Sequence, residues 1–247
     1  MTIKTLLRKA LIDMSGYWIY KHKDLPVGCD LITDLKQRIC LPMNIIFDVG
    51  ANIGQTALMF NENFSRSKIF SFEPVSDTFD KLKSNVKNSK YINCSKLALG
   101  ENESFVDVKL FEEDASVLNS LNQNSMNNSG NYKIERIKVI TGDNFCIQNQ
   151  ISEIDLLKID TEGYEIPVLN GFTKMIDESK IKAILCEVGF SPTNKRNTFI
   201  NEIINFAYQK GYSFFGLYEV SNIQIKDGNN YGNALFVKNE ILKTWSK

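Results

Sequence analysis

Apolar residues along this chain fall into two recurring patterns. Short runs rich in β-branched and aromatic residues, Ile45–Val49, Ile69–Phe72, Ile154–Ile159 and Ile181–Val188, read as buried strands of a parallel sheet. Between them come stretches with helical spacing. Gln55–Phe60 opens one helix, and Asp77 caps another running to about Asn88. A short helix follows near Glu165–Leu169, and Thr198–Gln209 forms a fourth with Phe199, Ile203 and Phe206 inward. Ile92–Leu99 reads as a single strand, Phe105–Leu110 alternates as an added one, and Tyr132–Ile140 resumes the strand pattern. Tyr212–Leu217 and Asn233–Val237 close the sheet as an antiparallel pair. Strands alternating with helices predict an α/β fold.

The first 44 residues differ in character. Ile3, Leu6, Leu7, Ala10, Leu11, Met14 and Trp18 recur at helical spacing, and Leu31–Ile39 suggests a second short helix after the turn Leu25–Asp30. Residues 1–44 are therefore expected to form a helical extension or lid, and 45–247 the main domain. The first helix is expected to pack on that domain. Lys4, Arg8 and Lys9 keep membrane association open, and the extension could equally cover the site or organise a homodimer.

Composition narrows the classes. A hydrophobic fraction of 43% supports a sizeable core, and 29 basic residues balance 29 acidic ones, so no global field recruits nucleic acid. The five cysteines, Cys29, Cys40, Cys94, Cys146 and Cys186, form no C-x-x-C pair, and His22 is the one histidine. Zinc binding is disfavoured, and reduced thiols in a cytoplasmic protein fit best. No apolar run reaches transmembrane length, and Arg8, Lys9 and Asp13 break any signal peptide.

Chemistry concentrates at two strand ends. The first strand breaks into Asp48-Val49-Gly50-Ala51-Asn52-Ile53-Gly54, where glycines allow close approach of a ligand and the following helix offers free N–H groups. Asn52 and Gln55 depart from the Gly-x-Gly-x-x-Gly of dinucleotide sites, which disfavours a nicotinamide oxidoreductase. The Asp-x-Gly-x-Asn-x-Gly pattern resembles that of Rossmann-like S-adenosylmethionine (SAM) methyltransferases, and Asp48, Gly50, Asn52 and Gly54 are expected on the cofactor. Glu73 lies about 20 residues further on, where such folds set a carboxylate against ribose hydroxyls. Ala98-Leu99-Gly100 ends its strand at the same edge, with Leu99 toward the adenine. Residues 113–131, rich in Asn and Ser, are either a surface loop or a substrate lid that brings Ser116 to the cofactor.

The second centre is Ile154-Asp155-Leu156-Leu157-Lys158-Ile159-Asp160-Thr161-Glu162-Gly163-Tyr164-Glu165. Asp160 ends the strand beside the cofactor's reactive end, Glu162 follows, and Lys158 shares a strand face with Asp160. Asp160 and Glu162 are candidates for the proton acceptor, with Lys158 orienting a carboxylate or substrate oxygen, and paired acids would hold one pKa high. Each has a plainer alternative. Asp160 could hold the methionine amino group, Glu162 could cap the next helix, and Lys158 could pair with Asp48 or Glu187. His22 is a further candidate base. Mg²⁺ held by Asp143, Asp160, Glu162 and Glu187 is the rival mechanism and is not favoured.

Taken together, Phe47–Gly54, Phe72-Glu73-Pro74, Ala98-Leu99-Gly100 and Asp155–Gly163 resemble the FkbM family of SAM-dependent methyltransferases, over roughly residues 45–238. The Lys-Ile-Asp-x-Glu-Gly portion is the most particular to that family, and the stretch Leu25–Asp30 resembles the lead-in of some members. One departure is Thr141-Gly142-Asp143-Asn144, where family members often carry a Leu-Asp-Asp-like segment. The resemblance implies a Rossmann-like class I fold: a mostly parallel seven-stranded sheet with an antiparallel terminal strand and helices on both faces. It also implies O-methylation of a sugar in a glycan, glycolipid or natural product. A small non-sugar metabolite as acceptor, and a SAM-binding module without catalysis, are the competing readings. Acceptor choice would lie in residues 1–44, 113–131 and 189–197, with Gly189-Phe190-Ser191-Pro192 lining the acceptor pocket.

Overall fold

The computed structural model describes residues 3–17, 20–21, 24–111, 132–194, 196–221 and 230–243. Helix α1 (Ile3–Ser15) precedes α2 (Leu31–Thr33), which widens into a π turn over Asp34–Ile39. The core then alternates β1 (Ile45–Val49), α3 (Gln55–Asn63), β2 (Lys68–Phe72), α4 (Ser76–Val86) and β3 (Ile92–Ser95). After β4 (Ala98–Leu99), β5 (Ser104–Phe111) and β6 (Tyr132–Ile140) come α5 (Gly142–Gln148), β7 (Ile154–Ile159), α6 (Glu165–Asn170) and α7 (Thr173–Asp177). The chain ends with β8 (Ile181–Gly189), α8 (Ile200–Gln209), β9 (Tyr212–Tyr218), β10 (Tyr231–Lys238) and α9 (Asn239–Lys243).

The main sheet has seven strands in the order β3-β2-β1-β7-β8-β10-β9. The first five run parallel, and β10 is antiparallel to both its neighbours. The sheet is mostly parallel and closes with the antiparallel β9–β10 pair, as the sequence implies, with the antiparallel β10 lying inside the edge strand β9. Strand order reverses between β1 and β7, which opens a crevice beyond their carboxyl ends, where open α/β sheets bind ligands.

A second, three-stranded sheet, β4-β6-β5, was not expected. Residues 92–99 do not form one strand. Ile92–Ser95 registers against Ile69–Phe72 in the main sheet, and Ala98–Leu99 then pairs with Val139–Ile140 in the other. The predicted added strand, Phe105–Leu110, lies within β5 and pairs antiparallel with β6. Asp77 also differs from expectation: Val75 is the N-cap of α4, and Asp77 lies in the first turn, ion-paired to Lys133 at 2.7 Å.

Alternation along β1 feeds a core on each face. Phe47 turns toward Phe70, Phe72, Phe145 and Phe172, at ring-centroid distances of 5.2–5.9 Å. Ile46 joins Ala57, Phe60, Leu82 and Leu156 on the other side. Phe172 packs directly over Gly142, where a Cβ would lie 2.3 Å from its ring. Leu31, Leu35, Ile39 and Met43 are buried in the same cluster as Ile46. Asp34, fully buried, accepts hydrogen bonds from the Tyr218 hydroxyl at 2.7 Å and the Gly28 amide at 3.0 Å, tying the Leu25–Asp30 turn to β9. Helix α1 departs from the packed-helix expectation, since none of its residues is buried. Among the described residues no helix is long and apolar enough to cross a membrane.

Candidate active site

Strand β1 delivers the chain to a turn that only particular residues can make. Gly50 has φ +76°, and its amide and that of Ala51 both donate to the Phe72 carbonyl, at 3.1 and 3.0 Å. A Cβ on Gly50 would lie 1.8 Å from the Asp160 carbonyl oxygen, so glycine lets the ends of β1 and β7 close together. Gly54, φ +95°, is the N-cap of α3, and a Cβ there would meet Leu82 at 2.8 Å. Between them Asn52, φ +48°, adopts the left-handed conformation that asparagine tolerates best among side-chain-bearing residues.

Glu73 closes this turn from the end of β2. Its Oε2 accepts from the Asn52 amide at 3.1 Å and its Oε1 from the Val75 amide at 3.0 Å. Burial pushes its pKa up to about 7, against the lowering effect of those two amides. Beside it a cavity of about 120 Å³ is lined by Gly50, Asn52, Glu73, Leu99, Asp160 and Thr161, among others. A second cavity, about 490 Å³, is lined by Gln55, Thr56, Lys158, Glu219 and Asn233, and shares Gly50, Asn52 and Asp160 with the first. The two spaces meet at those three residues.

Asp48, expected on the cofactor, is fully buried and lines neither cavity. It faces Lys158 across the β1–β7 register, and Lys158 Nζ lies 3.2 Å from its Oδ1 and 3.3 Å from Asp160 Oδ2. The second Asp48 oxygen has no hydrogen-bond partner among the described residues. Burial raises the Asp48 pKa against the pull of Lys158. Burial also opposes the Lys158 charge, but Asp48 and Asp160 outweigh it and raise its pKa. Lys158 thus remains a cation that holds Asp160 at the rim of the groove.

Around Asp160 stand three further acids, and each is held by one of three consecutive donors. Arg196 grips Glu162 through two hydrogen bonds, with Nη2 at 2.6 Å. Asn197 Nδ2 donates to Glu187 Oε2 at 2.5 Å, and the Thr198 hydroxyl donates to Glu165. Glu165 also accepts from the amides of Thr161 and Gly163, at 3.0 and 3.1 Å. It therefore closes the Asp160–Gly163 turn, whereas Tyr164, and not Glu162, is the N-cap of α6, with no side-chain cap hydrogen bond there. The Arg196-Asn197-Thr198 set and the closure of the turn by Glu165 do not follow from the sequence reading. The available signal was the run of three donors after Gly189-Phe190-Ser191-Pro192.

Burial raises the pKa of Glu162, Glu165 and Glu187 alike, and Glu187, facing Asp160, Glu162 and Glu165, rises to about 9. Glu187 therefore holds a proton at neutral pH. Its folded-state pKa exceeds the unfolded one, so its contribution to stability is full below about 4.5 and is lost as pH rises through about 9. Replacing Glu187 with glutamine should raise the unfolding free energy more at pH 9 than at pH 5, by at least about 1 kcal/mol, roughly one pKa unit. Denaturant melts at the two pH values check this, and an equal shift at both would show that the pKa of Glu187 is not raised in the folded chain.

Asp160, Glu162 and Glu187 bring one carboxylate oxygen each within 4.8 Å of one another, a donor set that a divalent cation could use. Arg196 and Asn197 already engage two of the three. Asp143 does not join them: it accepts from the amides of Lys174 and Met175 at 2.9 and 3.0 Å, capping α7. Ser116 and His22 lie outside the described residues.

Comparison with known proteins agrees with this fold. The chain is 28% identical over 174 residues to the hexuronic acid methyltransferase AglP of Haloferax volcanii, covering 70% of this chain and 68% of that protein. The crystal structure of Methyltransferase FkbM from Methylobacillus flagellatus KT superposes with a TM-score of 0.52 at 17% identity, over 79% of this chain. The chain spans 44% of that structure's length. The Methyltransferase FkbM domain matches residues 48–214, more than half of the 247 residues, and the chain accordingly belongs to the FkbM methyltransferase family.

Proposed function

We propose that the chain binds SAM in the groove between Gly50 and Glu73 and methylates an oxygen of a sugar or glycan-linked acceptor. The observation that carries this is the meeting of two cavities at Gly50, Asn52 and Asp160, one running to Glu73 and the other to Lys158 and Asn233. The residues present fit the cofactor. Glu73 offers carboxylate lone pairs to a ribose diol while its backbone partners hold it in place, and Phe72, Val75 and Leu99 provide an apolar wall for a base. Relatedness to a hexuronic acid methyltransferase supports a carbohydrate acceptor.

Bound there, SAM supplies an electrophilic sulfonium methyl group. The chain's own part is to align one acceptor oxygen and to receive its proton. Alignment alone supplies much of such a rate. Asp160, one-third exposed and oriented by Lys158, is the carboxylate at the groove. Glu162 is fixed beside it by Arg196, and the protonated Glu187 behind them keeps a third negative charge out of the cluster.

Glu73→Ala should weaken SAM binding by about 2–3 kcal/mol, roughly 30- to 150-fold in Kd, through two lost charge-assisted hydrogen bonds. Calorimetry measures this directly. Wild-type affinity should also rise as pH passes about 7, where Glu73 ionises. Unchanged affinity in the variant would remove Glu73 from the cofactor site.

The acceptor is tested by transfer of labelled methyl from SAM into extracts of the source organism, separated by size, with and without a chelator. Label in a polysaccharide or lipid-linked fraction is the expected result. Alkali then separates a stable ether, formed on a hydroxyl, from a labile ester, formed on a carboxylate. Label confined to small non-sugar molecules would overturn the carbohydrate assignment, and no label despite confirmed SAM binding would favour a non-catalytic module.

A further inference from the structure

Helix α1 is the one long helix among the described residues that leaves its apolar side uncovered. The other described helices of eight or more residues, α3, α4 and α8, each bury at least two residues, whereas α1 buries none. Ile3, Leu6, Leu7, Leu11 and Met14 recur at helical spacing along one face and are 52–87% exposed. A stripe of this kind in water is a surface for something apolar.

Charge identifies what. The chain as a whole is neutral, yet α1 carries Lys4, Arg8 and Lys9 against Asp13 alone. At 100° per residue Lys4 and Arg8 flank the apolar stripe on one side and Lys9 borders the opposite, polar face. Thirteen residues make a helix about 20 Å long, short of the roughly 30 Å hydrocarbon core, so α1 can lie on a bilayer and not span it. The sequence continues with Tyr17, Trp18 and Tyr20, the residue types that favour the headgroup level, and Tyr17 is 75% exposed. A second copy of the helix would bring three more cations to meet three, with one acid from each copy to offset them.

We infer that α1 seats the chain on an anionic bilayer surface, with Leu6, Leu7, Leu11 and Met14 in the acyl boundary and Lys4, Arg8 and Lys9 at the headgroups. The inference is independent of the acceptor: it stands on α1 alone and survives failure of the carbohydrate assignment.

The test is flotation of the full chain with vesicles of phosphatidylcholine alone, or with about one-third phosphatidylglycerol. The chain should float with the anionic vesicles and far less with the neutral ones. Each basic residue near such a surface contributes roughly fivefold to binding, so Lys4→Glu with Arg8→Glu should weaken it at least about 25-fold. Raising salt from roughly 0.1 to 1 M should weaken it too, as the screening length falls from about 10 to about 3 Å. Leu7→Asp with Leu11→Asp should abolish flotation while leaving the thermal melt unchanged, because α1 contributes no buried residue. Three outcomes would overturn the proposal. The first is absence of flotation with anionic vesicles, and the second is equal flotation of the charge-reversed variant. The third is a wild-type dimer that becomes monomeric in the Leu7→Asp, Leu11→Asp variant without vesicle binding in either, which would assign the face to a second copy.

Discussion

Asp160→Asn should lower turnover by roughly 10²–10⁴-fold, the usual worth of a positioned proton acceptor. The change keeps the shape of the side chain and removes its charge. Lys158 retains Asp48 at 3.2 Å as a counter-ion, so the cation is not stranded and the fold should stay intact. The decisive comparison is between turnover and SAM affinity in the same variant. A proton acceptor loses turnover with SAM binding nearly unchanged. If Asp160 instead holds the methionine amino group, binding and turnover fall together, and a large loss of affinity by calorimetry would reassign it as a cofactor ligand. The partner variant Lys158→Met should fail differently: Asp48 would then be buried without a counter-ion, so the folded chain itself becomes less stable.

Gly50→Ala should destabilise the chain by about 2–5 kcal/mol and abolish SAM binding. Two effects add. An alanine at φ +76° costs about 1–2 kcal/mol in the left-handed region. Its Cβ would also lie 1.8 Å from one Asp160 backbone atom and 2.8 Å from another, and overpacking of this kind costs typically 1–3 kcal/mol. Neither atom can move without shifting β7 away from β1, which disturbs the Asp160 carboxylate as well. Gly211→Ala is the matched control. Gly211 has the same φ of +76°, but the nearest atom to its Cβ position is the flexible end of Lys238 at 3.9 Å. It should show the conformational cost alone, about 1–2 kcal/mol. Equal losses at the two positions in denaturant titrations would show that the approach of β1 to β7 does not constrain residue 50.

How much of this was legible from sequence depended on how local each feature is. The Gly50–Gly54 turn, Glu73 and Asp160 lie at the ends of apolar runs, and strand ends sharing a sheet edge follow from the alternation of strands and helices. The Asp48–Lys158 pair was legible only as one of two options for Lys158, since one-dimensional pattern does not give strand register. The departure of Ala98–Leu99 into a second sheet was hidden because Ser95-Lys96-Leu97 carries no glycine or proline to mark the break. The three donors Arg196, Asn197 and Thr198 act on acids 10 to 34 residues away in the chain. Their run of three donors is a weak mark, because a polar loop after a strand looks the same whether it binds water or buried carboxylates. Asp143 shows the converse. It was grouped with the other acids by chemistry, and its position commits both its oxygens to α7 amides.

We propose, from these features together, that the edge of the sheet beyond β1, β2 and β7 holds the ribose of SAM at Glu73 and presents its sulfur to Asp160. The structure of the chain in complex with S-adenosylhomocysteine tests it most directly. Both ribose hydroxyls should lie within hydrogen-bond distance of the Glu73 carboxylate, with the base against Leu99 and the sulfur facing Asp160 and Glu162. A complex with the ribose away from Glu73, or with the sulfur turned from the acids that Lys158 and Arg196 hold in place, would contradict it.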